Sequence, residues 1–198
     1  MVLNDNDIPP PSRLALAYAP AAIRPAFALL LRFDVRFAGI VGLASEPLIA
    51  QMKLAWWRDA MLAAPPQRPA GEPLLSSLFA LDNSVLNDAA VMLADAWEIL
   101  IANDDWSPST IDDFAKARQQ AVFRGYTQLI GAPDCPAGLG EQWALGDLRK
   151  NFGDRVSDVA RKSVALPKKR IYRPLTILAM SVREVSGPRL VWHALTGR

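Results

Sequence analysis

Apolar residues recur every three or four positions along most of this chain, which is the periodicity of an amphipathic α-helix. The clearest example is predicted over residues 21–41, where one face is apolar apart from a single acid: Phe27, Leu30, Leu31, Asp34, Phe37, Ala38 and Val41. No stretch alternates with the period of two that indicates a β-strand. The pattern therefore predicts an all-α fold, a single-domain bundle of about seven to nine helices.

Prolines, glycines and capping residues set the expected helix boundaries. Residues 1–12 are predicted to be a flexible N-terminal arm, because Pro9, Pro10 and Pro11 exclude a helix there. Ser45 is the expected N-cap of the second long helix, with Pro47 just inside it, and Ser109 opens a capping box with Asp112. Further helices are predicted over residues 13–18, 74–81, 83–101, 109–131, 173–185 and 188–195. Residues 139–164 are predicted to form either one helix or two helices with a break at Gly153.

The cysteine and histidine content limits the chemistry that the chain can support. Cys135 is the only cysteine, so a disulfide framework within the chain is excluded. His193 is the only histidine, and one His with one Cys cannot supply a zinc site of the usual ligand types. From the residues alone, no cofactor is expected.

No segment has the composition of a membrane span or a signal peptide. The most apolar window, residues 14–31, is interrupted by Pro20, Arg24 and Pro25, and it lacks the ~20 apolar residues that a span needs. The N-terminus is acidic and proline-rich rather than basic. We therefore expect a cytoplasmic protein, soluble or peripheral at the inner membrane face.

Charge is distributed unevenly along the chain. The net charge is +2, but residues 142–198 hold 12 Lys and Arg against 4 Asp and Glu, a net of +8, which leaves −6 for residues 1–141. A basic C-terminal third favours contact with a diphosphate, a membrane surface or an acidic protein, and a solvated basic face is the alternative. No motif indicates a nucleic acid partner.

Residues 27–61 resemble the squalene/phytoene synthase family. Phe33 and the pair Ile40 and Val41 match the helix that carries the family's first acidic motif. In the following segment, Leu54, Trp57 and Arg58 match the family's R-L-x-x-W-R region. The resemblance implies an all-α bundle of the isoprenoid (trans-prenyl) synthase type around an apolar cavity, in a shortened form here.

Residues 139–154 are similar to the stretch that carries the family's second acidic motif. Leu139, Gly140, Leu145 and Gly153 match it, and Leu166 with Pro167 marks the helix that follows. In the family, acids from both motifs hold Mg²⁺ ions, which bridge the substrate diphosphate and neutralise the leaving group. The resemblance therefore implies a head-to-head prenyl transferase of isoprenoid biosynthesis.

The chain departs from the family at the metal-binding positions. The acids of the first motif are replaced by Ala38, Gly39 and Gly42, and Asn151 and Arg155 stand at the defining acids of the second. Such small residues also allow a second helix to approach closely. The second motif keeps a displaced acidic stripe at helical spacing: Asp147, Asn151, Asp154 and Asp158.

These departures favour a non-catalytic binding or assembly factor at a membrane surface, similar to the family's complex I assembly-factor branch. A prenyl diphosphate or lipid-like ligand would then place its anionic head near five residues: Arg36, Arg58, Arg149, Lys150 and Asn151. The alternative is an active Mg²⁺-dependent transferase that uses Asp34, Asp154 and Asp158. A third possibility, a plain helical interaction module, predicts no cavity large enough for a ligand.

Overall fold

The structure is a computed structural model that describes residues 7–102, 106–156, 164–183 and 187–197, without the side chain of Asp154. These ranges contain helices and connecting segments and no strand, so the all-α prediction is confirmed. Among them, no helix combines the length and apolarity needed to cross a bilayer. The α-helices are α1 (Pro10–Ala17), α2 (Arg24–Gly42), α3 (Pro47–Leu62), α4 (Pro73–Leu81), α5 (Ser84–Ile99), α6 (Pro108–Gln119), α7 (Gly125–Leu129), α8 (Ala137–Phe152), α9 (Arg173–Ser181) and α10 (Gly187–Thr196).

Helix α2 runs through the core of the bundle. Its residues Phe27, Leu30, Phe33 and Phe37 are completely buried, as the periodicity predicts. Around it, α3 packs along α5, α5 and α8 pack along α6, and α9 packs on α1 and α8. Phe33, Phe37 and Trp57 form a cluster of edge-on aromatic contacts between α2 and α3, with ring centroids 5.8 Å apart. This packing fixes the positions of α2, α6 and α8.

Helix α1 begins earlier than expected. Pro10 and Pro11 occupy its first turn, so the prediction that prolines exclude a helix before residue 13 is wrong. The N–H groups of a first turn have no partner within the helix, and proline loses nothing there. Ile8 is buried as well, which ties the described part of the arm to the core.

Two predicted caps are also wrong. The N-cap of α3 is Glu46 rather than Ser45, although Pro47 does occupy the first turn. Helix α6 begins at Pro108, and the hydroxyl of Ser107 accepts the Thr110 N–H at 3.2 Å, so Ser107 replaces Ser109 as the cap. In each case the proline fixes the first turn and the residue before it becomes the N-cap.

The chain departs from regular α-helix at two places beside the core. A π-helical turn, Gln120–Arg124, joins α6 to α7, so that these residues form one long helix. Of the two alternatives for residues 139–164, the one with a break at Gly153 is present, since α8 ends at Phe152 and a 3₁₀ turn, Gly153–Arg155, follows. The remainder of the helix predicted to residue 164 falls mostly on residues 157–163, which lie outside the described ranges.

Candidate functional site

Asp34 is a buried acid on the core face of α2. It is 5% exposed, and both carboxylate oxygens accept hydrogen bonds from other helices. Trp97 Nε1, on α5, donates to Oδ1 at 2.9 Å. Arg118, on α6, donates from Nε to Oδ1 at 3.0 Å and from Nη2 to Oδ2 at 2.6 Å. Asp34 therefore joins three helices through one carboxylate.

Arg118 connects this acid to a second one on α8. Its Nη2 also donates to Asp147 Oδ2 at 2.7 Å, and its Nη1 lies 3.5 Å from the Ala144 carbonyl oxygen. The guanidinium lies 4.1 Å from the ring centroid of Trp143 and 5.1 Å from that of Trp97. Its side chain is 2% exposed, whereas that of Asp147 is 28% exposed. A buried guanidinium thus bridges two carboxylates between aromatic rings.

The electrostatics of this triad favour a charged arginine. Burial by itself would lower the pKa of Arg118, but the charges of Asp34 and Asp147, together with their hydrogen bonds, outweigh it and leave the pKa raised. Arg118 is therefore a permanent cation. One positive and two negative charges leave the triad with a net charge of −1 when both acids are ionised.

A cleft of about 320 Å³ opens between α2 and α8 beside the triad. We call it the α2–α8 cleft. The start of α1 with the residue before it, and the end of α9, form its other walls. The larger part of its lining surface is apolar. The residues that line it are Pro9, Pro10, Pro11, Ser12, Leu31, Asp34, Val35, Ala38, Arg118, Trp143, Asp147, Lys150, Asn151, Ser181 and Val182.

The three small residues at the first motif have different surroundings. Ala38 lines the α2–α8 cleft. A Cβ atom added at Gly39 would meet no atom within 4 Å, whereas one at Gly42 would lie 3.2 Å from Cε1 of Phe152. Phe152, the last residue of α8, also packs against the rings of Trp97 and Trp106. The close approach expected at these positions is therefore present at Gly42 and absent at Gly39.

The residues predicted to bind an anionic head are dispersed. Lys150 and Asn151 line the α2–α8 cleft, where Asn151 Nδ2 donates to the Asp147 carbonyl oxygen at 2.9 Å. Arg149 lies half-buried on α8 outside the cleft lining. Arg36 and Arg58 also lie outside it.

Both of those outlying arginines face carboxylates on other helices. Arg36 lies 3.8 Å from Glu72, which caps α4. Arg58 Nη1 donates to Asp95 Oδ1 at 2.9 Å and to Glu98 Oε2 at 2.6 Å. Those hydrogen bonds, that of Asp95 foremost, raise the pKa of Arg58. Arg58 therefore joins α3 to α5, away from the cleft.

The described residues do not fit a magnesium site. Both oxygens of Asp34 accept hydrogen bonds from Arg118, and Asp147 Oδ2 accepts another. Within the described ranges, no group of three His, Cys, Asp or Glu side chains is close enough to share a metal. The side chain of Asp154 and the whole of Asp158 lie outside these ranges.

The sequence does contain a pattern that identifies Arg118. It shares a helical face with Ile111, Phe114, Ala115 and Val122, all buried, at spacings of three and four. An arginine within an apolar stripe requires a buried acidic partner. Asp34, an acid within the apolar stripe of α2, has the complementary requirement. Their pairing could have been proposed from these two stripes, although Asp147 could not.

Comparison with known proteins gives one match. No curated protein and no solved structure matches the chain. The family model described as squalene/phytoene synthase matches residues 12–124. The match includes Asp34, Trp97 and Arg118, and it ends before α8. Because it covers more than half of the 198 residues, the chain belongs to the squalene/phytoene synthase family.

Proposed function

We propose that this squalene/phytoene synthase-like protein is a non-catalytic binding or assembly factor that acts at a membrane surface. The observation that carries the proposal is the bridge from Asp34 on α2 through Arg118 to Asp147 on α8. Asp34 lies one turn before Ala38, and Asp147 one turn before Asn151, two positions where the family motifs have acids. Each of the two motif helices thus carries an acid one turn before the position of a family acid, and Arg118 lies between these two acids.

The bridge opposes the metal chemistry of the family. Mg²⁺ requires several oxygen ligands at about 2.0–2.1 Å in near-octahedral geometry. Arg118 would have to leave Asp34 before Mg²⁺ could bind there. Removing one partner from a buried ion pair costs about 3–5 kcal/mol, because the other charge remains buried and unpaired. Arg118 thus acts as a buried cation that holds α2, α6 and α8 together.

The α2–α8 cleft supports retention of a ligand. Its volume of about 320 Å³ lies at the lower end of the range for small-molecule pockets, and its mostly apolar lining suits a lipid-like tail. Lys150 and Asn151 are the predicted head-binding residues that line it, so an anionic head would lie there. The cleft also argues against a plain interaction module.

The alternative function remains an active Mg²⁺-dependent head-to-head prenyl transferase that uses Asp34, Asp154 and Asp158. Family membership favours it, and the hydrogen bonds of Asp34 to Arg118 oppose it. A turnover assay separates the two functions.

The test incubates the full chain with farnesyl diphosphate or geranylgeranyl diphosphate, with and without Mg²⁺, and follows product formation alongside calorimetric binding. We expect no product in any condition. We also expect Lys150→Gln to weaken diphosphate binding about tenfold, the loss of one charge-assisted contact. Arg58→Gln, outside the cleft, is the matched control and should leave binding unchanged. Mg²⁺-dependent turnover would overturn the proposal. Equal loss of diphosphate binding in both variants would show that the cleft is not the binding site.

A further inference from the structure

The outer face of α10 exposes apolar side chains to solvent. Val191, Trp192 and Leu195 lie on this face at helical spacing, and Trp192 and Leu195 are 60% and 67% exposed. Large apolar side chains grouped on one exposed helix face indicate an interaction site rather than ordinary surface. We call this group the α10 outer face.

The opposite face of α10 is fixed against α9. His193 and Ala194 are buried there. His193 Nε2 lies 2.9 Å from Thr176 Oγ1, and Arg173 Nη1 donates to the His193 carbonyl oxygen at 2.9 Å. These contacts set the orientation of the helix, so its outer face cannot rotate into the core.

Exposed cations lie on α10 and on the segment that precedes α9. Lys168, Lys169 and Arg170 are exposed, as is Arg189 on α10 itself. Arg170 lies three residues before Arg173, so it is within about 10 Å of the residue that binds the end of α10. Among the described residues, none of these four cations has a carboxylate within salt-bridge distance. We call residues 168–170 the basic segment.

The acid nearest along the neighbouring loop is already paired. Tyr172 donates its hydroxyl to the Pro133 carbonyl oxygen at 2.9 Å, which brings Asp134 toward the basic segment. Asp134 accepts a hydrogen bond from Thr127 and lies 3.5 Å from Arg124. Within the described ranges, no acidic side chain therefore offsets the charge of the basic segment.

We propose that the α10 outer face and the basic segment together bind the surface of an anionic phospholipid bilayer. Trp192 and Leu195 would enter the boundary between headgroups and acyl chains, where tryptophan is enriched. Each cation held near an anionic leaflet adds to the attraction. The inference deepens the membrane part of the proposed function and rests on it, because it names the surface of the protein that would make the contact.

A second ridge of exposed apolar side chains, on α3, differs from the α10 outer face in the charge of its neighbours. On α3, Leu48, Met52 and Trp56 are exposed to a similar degree. Their exposed charged neighbours are Lys53 against Glu46 and Asp59, so the ridge has no excess of positive charge. It offers nothing that an anionic bilayer would select, and it provides matched control positions.

The test is co-sedimentation of the full chain with vesicles of phosphatidylcholine alone or with about 30% phosphatidylglycerol. We expect binding to the anionic vesicles only, and its loss at about 0.5 M salt, where charges are screened. Trp192→Ser combined with Leu195→Ser should weaken binding at least about tenfold, and so should Lys168→Gln combined with Lys169→Gln. The α3 pair Met52→Ser with Trp56→Ser, and the pair Lys53→Gln with Lys116→Gln, should bind as the unmodified chain does.

Circular dichroism shows whether each variant is folded. Three results would each overturn the inference: no binding to any vesicle, equal binding to neutral vesicles, or the same loss of binding in the α3 pair. If the surface instead binds an acidic protein, the chain should not bind vesicles. Vesicle binding is measured without any diphosphate. Turnover in the separate assay would therefore overturn the proposed function while leaving the membrane surface of the protein in place.

Discussion

Arg118 donates two hydrogen bonds to Asp34, from Nε to Oδ1 at 3.0 Å and from Nη2 to Oδ2 at 2.6 Å. The two residues are 84 positions apart in the chain and both are almost fully buried. A bidentate pair of this kind fixes both the distance and the relative rotation of the helices that carry it. It therefore sets the position of α6 relative to α2 beside the α2–α8 cleft.

Arg118→Met should destabilise the fold by about 3–5 kcal/mol, because it leaves Asp34 buried without its cation. Urea unfolding followed by circular dichroism measures the change. Arg124→Met, on the same long helix, removes a 3.5 Å pair with Asp134 in which both side chains are at least half exposed. This control should cost less than about 1 kcal/mol. Equal effects of the two variants would show that the buried bridge contributes no more than a surface pair.

The two carboxylates of the triad should contribute unequally. Asp34→Asn weakens the bidentate pair and should cost about 3 kcal/mol, whereas Asp147→Asn leaves that pair intact and should cost roughly half as much. Asp147 is also 28% exposed, so water can replace part of what is lost. Unfolding free energies of both variants at pH 7 check the order. A larger cost for Asp147→Asn would contradict the geometry.

Magnesium should not stabilise the protein. Because Arg118 occupies the carboxylate face of Asp34, we expect the same melting temperature in 5 mM MgCl₂ and in EDTA, within about 1 °C. Thermal unfolding at constant ionic strength, with NaCl as the control, measures this. A rise in melting temperature that disappears in Asp154→Asn with Asp158→Asn would contradict the expectation and favour the catalytic alternative.

Two glycines of α2 should respond differently to alanine. Gly39→Ala places a Cβ atom in open space and should stabilise the helix by about 0.5–1 kcal/mol. Gly42→Ala places it 3.2 Å from Phe152, which must shift, so its gain should be smaller. Gly42→Val adds two further methyl groups at the same contact and should be destabilising. Melting temperatures of the three variants test this order, and a stabilising Gly42→Val would show that Phe152 does not fill this space.

The Cys135 thiol should be unreactive while the chain is folded. Burial, with a smaller contribution from the charge of Asp134, raises the pKa of Cys135 to about 11. A thiol that holds its proton more tightly when folded stabilises the fold fully below its ordinary pKa near 9. That contribution is lost as the pH rises from 9 through 11.

We therefore expect slow reaction with a disulfide reagent at pH 8 until urea unfolds the chain. The unfolding free energy should also fall more between pH 9 and 11 in the unmodified chain than in Cys135→Ala. Fast reaction of the folded chain, or parallel pH profiles of the two proteins, would contradict this prediction.

The helices could be predicted because their information is local. The stripe of α2 needs only the spacing of Phe27, Leu30, Phe33 and Phe37 along the chain, and the break at Gly153 needs only a residue of poor helix propensity. Helix starts were less accurate at Pro10 and Pro108, and the cap before Pro47 was assigned one residue too early. A proline in the first turn moves the cap to the residue before it, and several neighbouring prolines or serines compete for these positions.

The sequence by itself determined the all-α fold, the resemblance to the family and the loss of its acids at Ala38, Gly39 and Gly42. Only the tertiary structure decided that Arg118 bridges Asp34 and Asp147, that Phe152 packs on Gly42, and that Arg58 faces Asp95 and Glu98 rather than the cleft. Periodicity records which face of a helix is buried but not which helix covers it. The pairing of charges 29 to 84 residues apart depends on how whole helices pack, so it emerges only when the bundle is assembled.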